Sequence, residues 1–220
     1  MYIKRTYKFL DLFKWTRFDS LKFLVIIIVW VTAYVFLELT WLRVPWTPIA
    51  LIGTAVAFLI GFQNNAAYDR IWEARKIWGG IVNSSRTLGM FLQDMITNEY
   101  AKNPVDENTL NKEIKTITYR HIAWMTALRY AMRQPKPWET FSQLKTNKEW
   151  LLLIPEHELS LEEALAPYLS DNDFSDAMDK DNIQTAILYQ QSHHLKKLKE
   201  QGIIWEFSFL ELENILQECF

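Results

Sequence analysis

The chain has a single cysteine, Cys219, among its 220 residues, and only six glycines. One cysteine excludes an internal disulfide and cannot make a zinc site alone, so no structural metal is expected. The sequence also lacks a Walker glycine loop, a dinucleotide fingerprint and a nucleophile elbow. We therefore predict no catalytic residue and no cofactor, and the residues favour no class of enzyme.

Two other patterns resemble metal sites only weakly. His193 and His194 are adjacent, so on a helix their side chains point about 100° apart and share no face; we expect both to face solvent. The acidic run from Asp171 to Asn182 has Asp176 where a calcium loop needs glycine, and Asn182 where it needs glutamate. We expect this run to be the solvated start of a helix.

Charge is absent from Val44 to Phe62, a run that spans roughly 28 Å at about 1.5 Å rise per residue. That length matches the hydrocarbon thickness of a bilayer. Residues 23–42 carry one charge, Glu38, and form a first spanning candidate. A cleaved signal peptide would show a small-residue cleavage site, which is missing here. The pattern therefore predicts a membrane hairpin, followed by a charged extension.

The basic residues predict how this hairpin is oriented. Cytoplasmic flanks of membrane helices carry an excess of lysine and arginine. The short connection between the spans offers only Arg43. Basic residues stand before the first span at Lys4, Arg5, Lys8, Lys14, Arg17 and Lys22, and after the second at Arg70, Arg75, Lys76 and Arg86. We expect a multi-pass protein of the cell (inner) membrane with both ends of the first hairpin in the cytoplasm.

These patterns divide the chain into three regions: an amphipathic amino-terminal segment (1–20), a transmembrane helical hairpin (21–66) and a cytosolic helical region (67–220). The first segment mixes basic and aromatic residues, which fits either an interfacial helix or a simple cytosolic tail. Pro45 and Pro48 fit the first turn of the second helix, where proline sacrifices no intrahelical bond.

The remaining apolar residues recur at helical spacing, without an alternating strand pattern or a repeat. The fold class is therefore all-α: a transmembrane helical hairpin that continues into a cytosolic helical bundle. The second membrane helix is expected to run to a break near 98–104. Further helices are expected at 114–133, at 159–169, at 174–200, and after Gly202 from near Glu206 or Ser208. Ser160 and Glu163 have the spacing of a capping box at the start of the second of these. Trp138 and Trp150 are expected to pack against the helices.

Three segments resemble the bestrophin family of pentameric ion channels. They are GFQNNAAYDRIWEARKIWGGIVNSSR at 61–86, HIAWMTALRYAMR at 121–133 and LKEQGIIWEFSFLELENIL at 198–216. In that family a spanning helix lines the pore and continues into the cytosol, and two more spanning helices follow the region matched here. The resemblance implies a homopentamer in a lipid bilayer that conducts small monovalent ions, anions or cations, and binds no nucleic acid. The short polar turns resemble the bacterial members.

The resemblance also implies which residues meet the ions. The family's pore helix presents three bulky apolar side chains one turn apart, and the matching positions are Thr54, Phe58 and Phe62. A four-residue spacing rotates by about 40°, so these three share one helix face and would form a hydrophobic neck. Without the resemblance, the two phenylalanines would be read as helix-packing residues. Thr54 replaces the usual aliphatic residue and would make its ring smaller and wetter.

Two further positions follow from the same resemblance. Ile204, just after the Gly202 break, matches a narrow aperture at the cytosolic end of the pore, although a buried isoleucine in a turn is the plainer interpretation. Asn64 and Asn65 could offer neutral dipoles to an ion that leaves the neck, or could hold contacts between subunits. The alternative for the whole chain is a membrane-anchored helical scaffold that binds a protein partner and conducts nothing.

Overall fold

The structure is a computed structural model that describes residues 9–101, 103–134, 137, 156 and 158–219. Helices dominate these ranges and no strand occurs in them, which confirms the all-α prediction. The expectation for Trp138 and Trp150 lies outside the described residues. The helices are α1 (Phe9–Phe36), a 3-10 turn (Thr40–Leu42), α2 (Trp46–Met95), α3 (Glu107–Arg133), α4 (Leu161–Leu165), α5 (Asp171–Met178), α6 (Ile183–Glu200) and α7 (Glu206–Cys219).

The chain divides into two compact units between Arg70 and Ile71. The first unit contains α1, the 3-10 turn and the first half of α2. Two stretches, Leu12–Phe36 and one within Thr40–Met95, are long and apolar enough to cross a membrane, and none of their most apolar residues is buried. The apolar side chains of the first unit therefore lack cover within a single chain.

The connection between the two membrane helices is longer than the sequence predicted. α1 ends at Phe36 rather than continuing to Leu42, so Glu38 lies in the connection and not in a span. The φ angle of Glu38 is 50°, a left-handed conformation that cannot continue a right-handed helix. α2 begins at Trp46 with Pro48 in its first turn, as expected, because a first-turn proline gives up no helical hydrogen bond.

The second unit has a conventional apolar core. Ile117 and Trp124 of α3 are fully buried there. Further large buried side chains come from four other helices: Leu88 and Leu92 of α2, Leu165 of α4, Ile187 and Leu195 of α6, and Leu212 of α7. Unlike the first unit, this part of the chain buries its own hydrophobic surface.

Local capping sets several helix ends in the second unit. α4 begins after Ser160, whose hydroxyl accepts a hydrogen bond from the Glu163 amide at 3.2 Å while the Glu163 carboxylate accepts from the Ser160 amide at 3.1 Å. This confirms the predicted capping box. The helix itself is shorter than expected and ends at Leu165.

The single helix predicted over 174–200 is wrong, since the structure has two helices there. α5 ends at Met178 and α6 begins at Ile183. The Asn182 side chain accepts a hydrogen bond from the Thr185 amide at 3.1 Å and so caps the start of α6. The apolar spacing of the sequence continues across this helix start and does not reveal it. Ser170 caps α5, and the acidic run does open a helix, as expected.

A partly buried polar network joins α3, α5 and α6, and it corrects the expectation for one histidine. His193 is exposed, as predicted, but His194 lies between two residues of α3. Its Nε2 is 2.8 Å from Glu113 Oε2, and its Nδ1 is 2.9 Å from an Arg120 guanidinium nitrogen. Arg120 also donates to Asp173 Oδ2 at 2.7 Å, with the arginine side chain only 7% exposed.

The hydrogen bonds imply a neutral His194. Arg120 can only donate, so Nδ1 accepts, and Nε2 carries the proton that it donates to Glu113. Burial, and then the adjacent Arg120 charge, lower the pKa of His194 from its usual value. The Ser85 hydroxyl donates to the Ile81 carbonyl oxygen at 2.6 Å, so the His121 Nε2, 2.8 Å from Ser85 Oγ, is the donor to that oxygen. Burial lowers the pKa of His121 to about 4. Both imidazoles are therefore held neutral near pH 7.

The break between α6 and α7 depends on Gly202. Its φ angle is +77°, and a Cβ atom at this position would lie 2.7 Å from the Tyr100 carbonyl oxygen. Only glycine combines this left-handed conformation with so close a backbone approach. The Ile203 carbonyl then accepts from the Thr97 amide at 3.1 Å, which attaches the turn to the end of α2.

Candidate functional site

One face of α2 in the first unit forms a shallow groove. It contains all three of the predicted neck residues. The groove is lined by Thr54, Ala57, Phe58, Gly61, Phe62 and Asn65, spaced three and four residues apart. Such spacing places side chains on one side of a helix. Ala57 and Gly61 were not singled out from the sequence, although their positions three residues after Thr54 and Phe58 would have identified them.

The groove is apolar and open. Phe58 is 64% exposed and Phe62 is 69% exposed, so both rings stand away from the helix. Gly61 lies between the two phenylalanines in the sequence, and no atom lies within 4 Å of where its Cβ would be. Because glycine has no side chain, the groove is open at this position. A surface of this kind offers water few hydrogen bonds, and rings of such residues close pores by excluding water.

Thr54 uses its hydroxyl within its own helix. The Oγ1 atom donates to the Ala50 carbonyl oxygen at 2.9 Å. Such a bond to the preceding turn is common for threonine in helices. The groove therefore meets the Thr54 methyl group and the lone pairs of its oxygen, rather than a free hydroxyl hydrogen.

The structure separates the two asparagines predicted to line the pore. Asn65 lies at the end of the groove, eleven residues after Thr54. Asn64 is exposed but does not line the groove, because one residue along a helix turns the side chain by about 100°. Of the pair, Asn65 alone shares a surface with Phe58 and Phe62.

Ile204 belongs to the second unit, where it is buried. Its side chain is 2% exposed and packs in the apolar core of that unit. Within a single chain this is the environment of a structural isoleucine. Its place at a cytosolic aperture stays a prediction that needs a measurement on the assembled protein.

The described residues also contain no group of three His, Cys, Asp or Glu side chains that could hold a metal ion. Cys219 is buried, and burial raises the pKa of its thiol to about 11. A thiol in this environment stays protonated and is a poor nucleophile.

These features define a class of protein: an all-α membrane protein whose second membrane helix continues into a packed helical unit. Residues 18–220 match the sequence profile described as bacterial/fungal bestrophin protein. Because the match extends over most of the sequence, the chain belongs to the bestrophin family, as its residues suggested. Family membership and the two apolar helices place the protein in a membrane.

Several named relatives share short segments with the chain. A voltage-dependent anion channel-forming protein of Ralstonia nicotianae is 57% identical over 42 residues, which cover 19% of this chain and 14% of the relative. Proteins with the same description from Mesorhizobium japonicum and Escherichia coli K12 are 46% identical over 50 residues and 49% identical over 41 residues. These segments are 23% and 19% of this chain, and 16% and 14% of the relatives.

The fold also matches solved structures. A bacterial bestrophin homologue from Klebsiella pneumoniae superposes with a TM-score of 0.69 at 20% identity, covering 92% of this chain and 63% of the homologue. A second structure of a homologue from that organism gives a TM-score of 0.68 at 19% identity, covering 94% and 62%. The chain thus spans less than two thirds of the solved homologues, and the likeness shows a shared fold.

Proposed function

We propose that the chain is a subunit of a homopentameric ion channel and has no enzymatic role. Small monovalent ions pass a hydrophobic neck formed by Thr54, Phe58 and Phe62 from each of five copies. The observation that supports this most is the groove on α2, where exposed aromatic rings and small residues line one face of a helix without charge. In a ring of copies around one axis, the same stripe of every subunit can face the axis and line the pore.

The hairpin is proposed to place both of its ends in the cytoplasm of the inner membrane. Lys14, Arg17 and Lys22 lie in the first half of α1, whereas the connection after Phe36 contains only Arg43 as a basic residue. This asymmetry supports the orientation through the positive-inside rule. Residues 1–20, 21–66 and 67–220 then serve as a membrane-surface segment, a hairpin and a cytosolic region, with Ile204 at the inner aperture and Asn64 near subunit contacts.

The neck is tested by ion flux from liposomes that contain the purified protein. Phe58→Ala and Phe62→Ala should each raise flux on the order of threefold or more, because they widen and wet a constriction that excludes water. Leu59→Ala and Ile60→Ala are matched controls, since they remove exposed apolar side chains that lie outside the groove. The controls should leave flux near the wild-type level.

Two results would contradict the proposal. Equal flux from the phenylalanine variants and the controls would remove the neck from this face of α2. An assembled pentamer that passes no ions would instead favour the membrane-anchored scaffold. The mass of the protein in detergent gives the number of copies independently, and a monomer or dimer in detergent would contradict a pore of five subunits.

A further inference from the structure

The first charged residue of α2 lies on the groove face. No charged residue occurs from Val44 to Tyr68, and the uncharged stretch ends at Asp69. Asp69 follows Asn65 by four residues and Phe62 by seven, which continues the spacing of the groove. Since eleven residues of helix make about three full turns, Asp69 lies within about 20° of Phe58 around the helix axis.

Neighbouring charges do not cancel Asp69 at this position. Arg70 comes next but is turned by about 100°, away from the groove face. Farther along the helix, Glu73 and Lys76 lie near the same face with opposite signs, whereas Arg75 is turned by about 120° from Asp69. Asp69 is exposed, and no hydrogen bond or ion pair joins its carboxylate to another described residue. Its negative charge is therefore available to whatever passes along this face.

We propose that Asp69 sets the ion preference of the pore by attracting monovalent cations to the inner end of the neck. The proposal rests on the pentameric channel argued above. Five copies would place five carboxylates around the axis, and rings of carboxylates are a general device for admitting cations and repelling anions. Thr54 also favours cations over anions. Its hydroxyl hydrogen is donated to the Ala50 carbonyl oxygen, so only the lone pairs of its oxygen remain for a passing ion.

Distance and salt determine how strongly the ring acts. Asp69 lies about 10 Å along the helix from Phe62, at about 1.5 Å rise per residue. That separation is close to the Debye length of about 8 Å at physiological ionic strength. The carboxylates should therefore bias the ions that enter the neck at low salt, and lose much of this effect in concentrated salt. A preference set by direct coordination would change little with salt.

The test is the reversal potential of the purified protein in a planar bilayer under a potassium chloride gradient. The wild type should favour potassium over chloride. Asp69→Asn should lower the permeability ratio about fivefold, and Asp69→Lys should lower it further, with the differences shrinking as salt rises from about 30 mM to about 1 M. Asp19→Asn is the matched control, because it removes the same charge from α1 and should leave the ratio unchanged.

The outcomes separate this proposal from the one on which it rests. Currents that persist with the same reversal potential in wild type, Asp69→Asn and Asp69→Lys would overturn the role of Asp69 and leave the channel intact. A wild type that prefers chloride would also overturn it. No current from an assembled wild type would overturn the channel itself, and the role of Asp69 with it.

Discussion

The two units of the chain bury their residues in opposite ways. In the first unit none of the most apolar residues of α1 and α2 is buried, and Phe58 and Phe62 are well exposed examples. In the second unit Trp124 is 1% exposed and lies in an apolar core. The second unit thus carries its stability within one chain. The first needs lipid or further copies to cover it, which is the condition for a membrane pore wall.

The polar contacts differ in the same way. The first unit has an exposed pair, Asp19 and Lys22, with an Oδ1 to Nζ distance of 3.2 Å and both side chains more than 70% exposed. The second unit has Arg120 and Asp173 at 2.7 Å, with the arginine buried. Exposed pairs contribute little because water and salt screen them, whereas a buried charge that loses its partner is costly.

The largest expected effect comes from the core. Trp124→Ala should lower the free energy of unfolding by about 4 kcal/mol, because it removes a large buried ring and leaves a cavity. Trp41→Ala, at a position 77% exposed, should cost less than about 0.5 kcal/mol. Denaturation in detergent, followed by helical circular dichroism, measures both. Equal losses would mean that the two units do not differ in burial as described.

The next effect concerns the charged pairs. Asp173→Asn should lower the free energy of unfolding by about 3 kcal/mol, since the Arg120 charge then lies buried without its carboxylate. Asp19→Asn should cost about 0.5 kcal/mol or less. The same denaturation measurement applies. A small loss for Asp173→Asn would show that the hydrogen bond to His194 alone can hold the guanidinium.

The smallest effect, taken over one pH unit, is a pH dependence that arises from two histidines of the second unit. Burial lowers the pKa values of His121 and His194 from 6.5. Just below pH 6.5 the unfolded chain therefore binds protons at these histidines that the folded chain does not bind. Stability is therefore complete above about pH 6.5 and falls as the pH drops below it. For His121 the loss continues to its folded pKa of about 4, with a slope of about 1.4 kcal/mol per pH unit.

Histidine variants check this prediction by denaturation at several pH values. His121→Gln should remove about 1.4 kcal/mol per pH unit from the slope below pH 6.5. His194→Gln can still donate to Glu113 and accept from Arg120, so it should reduce the slope while keeping the network. His193→Gln is the control at an exposed position and should leave the slope unchanged. An unaltered slope in His121→Gln would contradict the neutral, buried imidazole.

Local signals in the sequence predicted local structure well. The Ser160 and Glu163 spacing marked a helix start, and Pro48 marked the first turn of α2. Each of these two signals depends on residues within one helical turn of each other, so it can be recognised without knowing the tertiary contacts. The end of α1 was misplaced because the left-handed conformation of Glu38 cannot be recognised from the spacing of the apolar residues around it.

Contacts between distant residues were beyond the sequence. His194 looked like a solvent-facing residue, yet it bonds to Glu113, 81 residues earlier, and to Arg120, 74 residues earlier. The helix break before Ile183 was missed because apolar spacing continued through it while the Asn182 cap ended it. Burial of His194 follows from how α3, α5 and α6 pack, which no window of sequence contains.

By itself, the sequence determined that α2 carries a long uncharged stretch, with Thr54, Phe58 and Phe62 on one side, since helical periodicity depends only on residue spacing. The tertiary structure alone decided that the side chains of this face are exposed and that Ile204 is buried. The burial of a side chain depends on which residues pack around it, and the fold determines which residues those are.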